Sequence, residues 1–253
     1  MQGNTAIITG ASRGIGEATA RHLADQGATV ILAARSANRI TEIAAAIAAR
    51  GGRALAISCD VASPDQVSAL VEKALAQTGR LNLMVNNAGL IDPIARLADS
   101  DVDAWSRVVD VNLKGVYHGL RFAIPAMRAQ GGGTIVNISS GAATSALEGW
   151  SHYCATKAGV LSLTRVADRE YRSARIRVIG LSPGTVATQM QDEIRASGIN
   201  PVSRLSPDAH IPPDWVARAI AWLATPEADP HLGTDFSLKT DAGRVAVGLP
   251  SVA

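Results

Sequence analysis

The chain of 253 residues is poor in cysteine, in charge and in long apolar segments. Its two cysteines, Cys59 and Cys154, form no ligand or redox pattern, which is typical of a reducing compartment. No apolar run approaches membrane-spanning length, and the N-terminus lacks a basic region followed by an apolar one. These absences predict a cytoplasmic protein without a membrane partner.

Charged residues make up 18% of the chain and the net charge is only +2, so no electrostatic basis exists for a nucleic-acid partner. The histidines are scattered and form no ligand cluster with the cysteines, so the sequence predicts no metal site. His152 alone, beside Tyr153, is a candidate for lining a substrate site. The other histidines are interpreted as structural or solvated: His22, His118, His210 and His231.

Short apolar strands alternate with alanine-rich helical stretches along the whole chain. This alternation predicts an α/β fold of Rossmann type, with helices on both faces of a doubly wound parallel sheet. The hydrophobic content of 47% and the length suit a single three-layer domain over residues 1–253. Six strands are predicted, at Ile7, Val30 to Leu32, Leu55 to Ile57, Leu83 to Val85, Ile135 to Ile138 and Ile176 to Ile179.

Two segments between the predicted strands have distinctive ends or composition. Ser63 to Gln66 reads as a helix start, with Ser63 as the N-cap, Pro64 in the first turn and Gln66 as the capping-box partner. The segment from Gln189 to Pro213 is polar and contains four prolines. We predict a long loop there, and loops of this length inside a compact domain are usually functional.

A glycine-rich turn follows the first predicted strand. TGASRGIG runs from Thr9 to Gly16, and a helical pattern follows it. Its glycines, Gly10, Gly14 and Gly16, let the backbone pass close to a ligand and leave amide groups at a helix N-terminus for phosphate. The spacing differs from G-x-G-x-x-G, and no Lys-Ser/Thr pair of a P-loop follows. A tight turn without a ligand is the alternative interpretation.

Tyr153 and Lys157 are four residues apart on a predicted helix and therefore share one face. An ammonium beside a phenol favours the phenolate and is expected to lower the tyrosine pKa, so that the phenol can exchange a proton with a carbonyl or alcohol oxygen. Ser140, just after the fifth predicted strand, can hydrogen-bond the same oxygen. The alternative for the pair alone is a solvated surface contact.

Together these motifs resemble the short-chain dehydrogenase/reductase family over about Thr5 to Leu238. TGASRGIG resembles its cofactor loop, NNAG at Asn86 to Gly89 its motif after the fourth strand, and SPGTVAT at Ser182 to Thr188 its nicotinamide-holding stretch. The resemblance implies four catalytic residues: Asn112, which anchors a water, Ser140, Tyr153 and Lys157, which also holds the ribose. It implies the cofactor contacts Gly10, Ser12, Arg13, Gly14, Ile15, Gly16, Arg35, Asp60, Val61, Asn86, Ala88, Gly89, Tyr153, Lys157, Pro183, Gly184, Val186 and Thr188.

The choice of cofactor depends on the residue after the second strand. NAD-binding domains of this type place an acid there, which hydrogen-bonds the ribose 2′-hydroxyl. Here the strand ends at Arg35, whose planar guanidinium suits a 2′-phosphate, and Arg13 can approach from the glycine turn. We therefore predict NADP(H) in preference to NAD(H). The alternative is that both arginines are solvated surface charges.

Three other functions compete with this interpretation. Gly180 to Gly184 matches the G-x-S-x-G pattern of serine hydrolases, but the residue after the serine is Pro183, which has no N–H to serve as an oxyanion donor. A zinc alcohol dehydrogenase would need a cluster of zinc ligands, which the cysteines and histidines of this chain do not form. A non-catalytic NADP-sensing protein on the same fold stays open as the alternative. The favoured interpretation is an enzyme that interconverts a ketone and a secondary alcohol.

Substrate and assembly follow from the resemblance only in outline. The candidate substrate contacts are Ile91, Leu147, Trp150 and His152, with the segment at 189–213 covering the site. They imply a mostly apolar carbonyl or alcohol compound, and small ketones, 3-oxoacyl thioesters and cyclic or sugar-derived ketones all stay open. Helices over Val108 to Phe122 and Ser162 to Arg172 imply a homo-oligomer, expected to be a tetramer.

Overall fold

The structure is a computed structural model that describes residues 1–251, and its centre is a parallel sheet of seven strands. The strand order is β3-β2-β1-β4-β5-β6-β7. The strands are β1 (Thr5–Thr9), β2 (Thr29–Ala34), β3 (Arg53–Ser58), β4 (Leu83–Asn86), β5 (Gly133–Ile138), β6 (Ile176–Ser182) and β7 (Asp235–Ser237).

Helices connect the strands and cover both faces of the sheet. They are α1 (Gly14–Asp25), α2 (Ala37–Ala49), α3 (Pro64–Thr78), α4 (Val102–Val109), α5 (Gly115–Ala129), α6 (Ser151–Tyr171), α7 (Gln189–Ser197), α8 (Pro213–Leu223) and α9 (Asp241–Ala246). A π-helical turn, Asp110–Lys114, joins α4 to α5. No helix among residues 1–251 is long and apolar enough to cross a membrane.

Two apolar layers form the core because successive strand residues point to opposite faces of the sheet. One layer packs Ile8 and its neighbours against α1, α2 and α8, and the other packs Ile7 and its neighbours against α3, α5 and α6. Strands buried on both faces have continuous apolar sequences, as these strands do. The predicted three-layer, doubly wound α/β fold is confirmed.

The strand order reverses between β1 and β4, which are adjacent in the sheet although β2 and β3 intervene in the chain. At such a point the connections leave to opposite sides and open a crevice at the carboxyl ends of the strands. Gly10 follows β1 and Asn87 follows β4 at this crevice. The topology therefore places the glycine-rich turn and the NNAG segment side by side.

The structure corrects three local predictions. All six predicted strands are present, but β7 was missed because it has only three residues and just one of them, Phe236, is buried. The polar segment from Gln189 is not a loop throughout, since α7 and two short 3-10 turns occupy much of it. Ser63 caps α3 as predicted, but the Gln66 side chain accepts its hydrogen bond from the Asp60 N–H rather than from Ser63.

Candidate active site

A cavity of about 560 Å³ opens at the carboxyl ends of the strands, on the line where the strand order reverses. Its wall contains the glycine-rich turn, the residues after β2, β3 and β4, the segment after β6 and one face of α7. Ser140, Tyr153 and Lys157 also line it. The fold thus brings the separate sequence motifs to one place.

The glycine-rich turn is shaped for a backbone that passes close to a ligand. Gly10 has φ of 64°, and a Cβ on it would lie 2.8 Å from the Ala88 Cα. The Asn87 side chain ties the turn to β4 by donating a hydrogen bond to the Thr9 carbonyl at 2.8 Å. Arg13 is the N-cap of α1 but makes no side-chain cap, which leaves the first amides of α1 for an anion. These residues fit the phosphates of a dinucleotide.

The far end of the cavity carries the predicted adenosine contacts. Arg35 directly follows β2, is exposed and lines the cavity. Asp60 and Val61 follow β3 on the same wall. Burial by itself would raise the pKa of Asp60, but hydrogen bonds from Arg107, at 2.6 Å, and from the Ala62 N–H leave that pKa lowered. The positive side chain of Arg35 thus follows β2 at the position where NAD-binding domains of this type carry an acid for the ribose 2′-hydroxyl.

Arg13 has a partner that its sequence context did not indicate. Its guanidinium donates a hydrogen bond of 2.6 Å to the Gln189 side chain, at the first residue of α7. A Cβ on Gly14 would lie 3.1 Å from the Thr188 methyl, so the turn and the start of α7 approach closely. The expected approach of Arg13 to a cofactor phosphate thus competes with a contact across the cleft.

Ser140, Tyr153 and Lys157 converge at the middle of the cavity. Ser140 lies just after β5, and its hydroxyl accepts a hydrogen bond from the Ala142 N–H at 3.2 Å. Tyr153 and Lys157 lie one turn apart on α6, and both are buried. The Tyr153 phenol is hydrogen-bonded to Ser140, and the Lys157 Nζ lies 5.5 Å from the phenol ring centroid. A solvated surface pair would show neither burial nor this grouping.

The expected lowering of the Tyr153 pKa is wrong for the structure as it stands. Burial raises the pKa of the Tyr153 phenol to about 12, and the hydrogen bond with Ser140 only partly opposes that rise. Burial also lowers the pKa of the Lys157 ammonium to about 8. The Lys157 Nζ donates a hydrogen bond of 2.7 Å to the Ile138 carbonyl, so the ammonium is engaged with the backbone. A same-face spacing did not reveal either burial or this competing acceptor.

Apolar side chains line the cavity beside Tyr153. Trp150 is buried and packs edge-on against the Tyr153 ring, with ring centroids 5.6 Å apart. Three of the four predicted substrate contacts line this wall, where they are joined by residues of α7 and the turn after it: Ile91, Leu147, Trp150, Met190, Ile194 and Val202. The arrangement suits a compact apolar molecule with one polar oxygen near Tyr153.

Four predicted site residues lie outside the cavity wall. Asn112, in the π-helical turn, is fully buried and clamps Leu90, accepting from its N–H at 2.8 Å and donating to its carbonyl at 2.9 Å. Its side chain therefore positions the loop after β4, and its predicted link to a water stays a prediction. A π turn inside a helix is frequent at functional sites, which agrees with its location here.

The other three residues support the wall from behind. Asn86 is buried at the end of β4 and donates a hydrogen bond to Asn137 at 2.8 Å. Gly16 packs α1 against the turn, where any side chain would collide with the Gly10 carbonyl oxygen. His152 is fully buried and its Nε2 lies 2.6 Å from the Ile91 carbonyl oxygen. Neighbouring residues on a helix point in different directions, so the position of His152 beside Tyr153 did not bring it to the cavity. Asn86 and Gly16 were expected as cofactor contacts from the family resemblance, and both lie outside the cavity wall.

The remaining predicted contacts do line the cavity: Gly10, Ser12, Arg13, Gly14, Ile15, Arg35, Asp60, Val61, Ala88, Gly89, Pro183, Gly184, Val186 and Thr188. Sequence reasoning did not single out Asn87 or Lys239, and it included Gln189 only as the first residue of the segment at 189–213. Lys239 comes just after β7, so it was overlooked together with that strand. Asn87 carried a usable signal, since it is a polar residue at the carboxyl end of a buried strand. Among residues 1–251, no group of three potential metal ligands is present.

Comparisons with known proteins agree with this geometry. A family profile described as short chain dehydrogenase matches residues 4–198. Cis-4-hydroxycyclohexanecarboxylate dehydrogenase of Sinomonas cyclohexanicum is 39% identical over 248 residues, covering 96% of each chain. Cyclohexanol dehydrogenase of Acinetobacter sp. (strain SE19) is 34% identical, covering 91% of each chain. The crystal structure of levodione reductase has a TM-score of 0.87 at 27% identity, covering 94% of this chain and 96% of that one. The chain belongs to the short-chain dehydrogenase family, and it is an oxidoreductase of alcohol or carbonyl substrates.

Proposed function

We propose that the protein is an NADP(H)-dependent oxidoreductase that interconverts a ketone and a secondary alcohol, with Tyr153 as the general acid and base. The observation that carries this proposal is the grouping of Ser140, Tyr153 and Lys157 in one cavity with the glycine-rich turn. The Tyr153 phenol is hydrogen-bonded to Ser140, and the Lys157 ammonium stands beside the phenol ring. No other titratable hydroxyl among residues 1–251 has both neighbours in this cavity.

Each of the three side chains has one task in the proposed reaction. The nicotinamide supplies the hydride for reduction when it is bound. Ser140 holds the carbonyl oxygen by a hydrogen bond, and Tyr153 donates its proton to the alkoxide that develops there. A phenol whose pKa is raised to about 12 is protonated at neutral pH, which suits a proton donor. Lys157 places positive charge beside the phenolate that the donation leaves.

NADP(H) is proposed over NAD(H) on the charge at the end of β2. Arg35 is exposed at the cavity wall, with no acidic side chain directly after the strand. Its charge helps to keep the pKa of Asp60 lowered, which places the two groups within electrostatic reach. A guanidinium recognises a phosphate by a planar pair of hydrogen bonds, whereas a carboxylate there would repel it.

The substrate proposed is a secondary alcohol or ketone on an alicyclic ring. The wall beside Tyr153 is apolar and contains the flat ring of Trp150, which suits a saturated ring. The names of the two relatives, cyclohexanol dehydrogenase and cis-4-hydroxycyclohexanecarboxylate dehydrogenase, both describe cyclohexane-ring alcohols. Open-chain ketones and 3-oxoacyl thioesters serve as the comparison substrates.

The test uses a panel of cyclic ketones, open-chain ketones and 3-oxoacyl thioesters. The reduction of each substrate by wild type and by Tyr153→Phe is monitored by the absorbance of NADPH. We expect turnover of a cyclic ketone by wild type and a loss of about 10²- to 10⁴-fold in the variant, because general acid catalysis contributes that much. NADPH binding, measured by fluorescence, should be nearly unchanged. Tyr171→Phe, which removes a hydroxyl further along α6, is the matched control.

Two results would contradict the proposal in different ways. If Tyr153→Phe keeps more than about a tenth of the wild-type rate, Tyr153 is not the acid. If wild type binds NADPH tightly but turns over no member of the panel, the non-catalytic NADP-sensing alternative is favoured instead.

We also propose a homotetramer that pairs α5 and α6 across two-fold axes. These helices carry a shallow apolar groove, and Tyr117 and Val166 within it are each 49% exposed. Self-complementary faces of this kind are usual at two-fold interfaces.

Light scattering of the wild type should give about four times the chain mass of 26.2 kDa, and Val166→Arg should lower the measured mass. Val102→Arg, at a site 77% exposed outside the groove, should not. A monomeric wild type at micromolar concentration would refute this assembly.

A further inference from the structure

A partly buried acid outside the cavity wall, Asp235, is not used by the proposed mechanism. Asp235 is the first residue of β7 and pairs with Gly180 of β6. Its Oδ2 accepts a hydrogen bond from the Ser139 hydroxyl at 3.0 Å. Its Oδ1 is buried without a hydrogen-bond partner among the described residues. A carboxylate oxygen that is buried without a donor is costly, so its presence needs a reason.

The neighbouring backbone leaves room for this carboxylate and for little else. A Cβ on Gly180 would lie 2.9 Å from the Asp235 Oδ1, so glycine at that position allows the acid to point inward. Gly180 is the first glycine of the G-x-S-x-G pattern that suggested a hydrolase. The structure gives that glycine a different role, which is to accommodate Asp235.

Asp235 and Lys157 hold consecutive residues at the end of β5. Lys157 donates to the Ile138 carbonyl at 2.7 Å, and Asp235 accepts from the hydroxyl of Ser139, the next residue. Lys157 is only 4% exposed, and its ammonium has three donors to satisfy. A buried ammonium pays a large desolvation cost unless an opposite charge lies near it.

The charged groups that act on this pair come from two elements. Burial raises the pKa of Asp235 to about 6, against the hydrogen bond from Ser139 and the positive charges of Lys157 and Arg165 on α6. Burial lowers the pKa of Lys157 to about 8, and the Asp235 carboxylate is the charge that opposes this fall. Between these two pKa values the carboxylate and the ammonium are both ionised.

We propose that Asp235 is a positioning residue for the oxidoreductase site: its carboxylate is the counter-charge that keeps Lys157 an ammonium beside Tyr153. This inference rests on the proposed function of Lys157. Ser139 orients the carboxylate and Gly180 leaves the space that it occupies. The effect is exerted through Lys157, without contact between Asp235 and the reacting atoms.

The direct test is a pH titration of Lys157 by NMR on the protein without cofactor. The chain has only four lysines, so selective labelling of the lysine side-chain carbons gives few signals, and Lys157→Met identifies the one of interest. Asp235→Asn keeps the size of the side chain and removes its charge. We expect the Lys157 midpoint to fall by roughly one pH unit, because the opposite charge that favours the ammonium is removed. Asp168→Asn is the control, because Asp168 is a buried acid on α6 that pairs with Arg172.

Activity gives a second, independent measurement. The high-pH limb of kcat/KM for carbonyl reduction should move down with the Lys157 midpoint, with about a threefold to tenfold loss at pH 8, mainly in kcat. Asp168→Asn can lower the melting temperature but should leave both pH profiles in place. Unchanged Lys157 titration in Asp235→Asn overturns the proposal. A shifted titration without any activity in wild type would instead refute the proposed function and leave the charge pairing intact.

A milder variant covers the case in which Asp235→Asn does not fold. Ser139→Ala keeps the carboxylate but removes its donor, and this should raise the pKa of Asp235 further above its ordinary value. Because the two charges interact, the Lys157 signal in wild type should show a small second inflection near pH 6. We expect Ser139→Ala to move that inflection upward. Absence of the inflection, or its insensitivity to this variant, would overturn the proposal.

Discussion

The two halves of the cavity differ in what shapes them, which is backbone in one half and side chains in the other. The glycine half comprises the turn at Gly10–Gly16 and the residues after β2, β3 and β4, and its shape comes from backbone. The apolar half comprises Ile91, Leu147 and Trp150 with α7, and its shape comes from side chains. Backbone complementarity requires glycine at fixed positions, whereas an apolar wall can be made from many residue combinations. The first half therefore leaves a motif in the sequence, and the second does not.

The halves also differ in how charge is distributed. Arg13 and Arg35 stand in the glycine half, where phosphates are expected, and each is exposed. Two acidic residues, Asp92 and Glu193, line the apolar half. Burial raises the pKa of the Glu193 carboxyl, and the negative charge of Asp92 raises it further. This contrast suggests that cofactor choice depends on charge and substrate choice on shape. Two substitutions separate these effects.

The larger effect is expected from Arg35→Asp in the glycine half. Wild type should prefer NADPH over NADH by about tenfold to several hundredfold in kcat/KM, since a charge-assisted hydrogen bond is worth roughly 1.5–3 kcal/mol. Aspartate would repel the 2′-phosphate and could accept a hydrogen bond from the 2′-hydroxyl of NADH, so the preference should reverse. The measurement is kcat/KM for both cofactors at one salt concentration, because charge contacts are screened.

Loss of NADPH use is the larger part of this expectation, and gain of NADH use the smaller. Arg80→Asp is a charge-matched control, because Arg80 is exposed and lies before β4, at the opposite end of the strand from the cavity. Equal use of both cofactors by wild type would show that Arg35 is a solvated surface charge. So would a variant that still favours NADPH.

The smaller effect is expected from Leu147→Ala in the apolar half. Leu147 is only partly buried, so the loss of its isopropyl group should raise KM for a cyclic ketone by roughly threefold to tenfold. NADPH affinity should stay the same, because the glycine half is untouched. Leu97→Ala, at a site 71% exposed outside the cavity, is the control. A change in NADPH affinity equal to the change in KM would show that the two halves are not independent.

Much of the site could be predicted because the fold repeats a simple rule. The turn after β1, the NNAG segment and Ser140 each follow a buried apolar strand, and parallel strands bring their carboxyl ends to one edge. Residues one position away were harder to assign. Asn86 and His152 are next to cavity residues in sequence but point away from the cavity. Successive residues point to opposite faces of a strand, and they are about 100° apart around a helix.

Two local structures, β7 and α7, were not predicted from the sequence pattern, each for a different reason. The short strand β7 has too few buried residues to show a period, so Asp235 and Lys239 were not connected with the cavity. Helix α7 is polar and is followed by four prolines before residue 214, so the composition of the segment indicated a loop. In both cases packing against the rest of the molecule, rather than local propensity, determines the structure.

The sequence alone determined the parallel α/β sheet, the glycine-rich turn at its first strand and the shared helix face of Tyr153 and Lys157. These features follow from hydrophobic periodicity, backbone freedom and helix geometry, which are all local. Only the tertiary structure decided the protonation of the site. Burial raises the pKa of Tyr153 and lowers that of Lys157, and the charge of Asp235, 78 residues beyond Lys157 in the chain, opposes the fall at Lys157. Desolvation and charge pairing depend on what surrounds a group in space, and no local pattern encodes that.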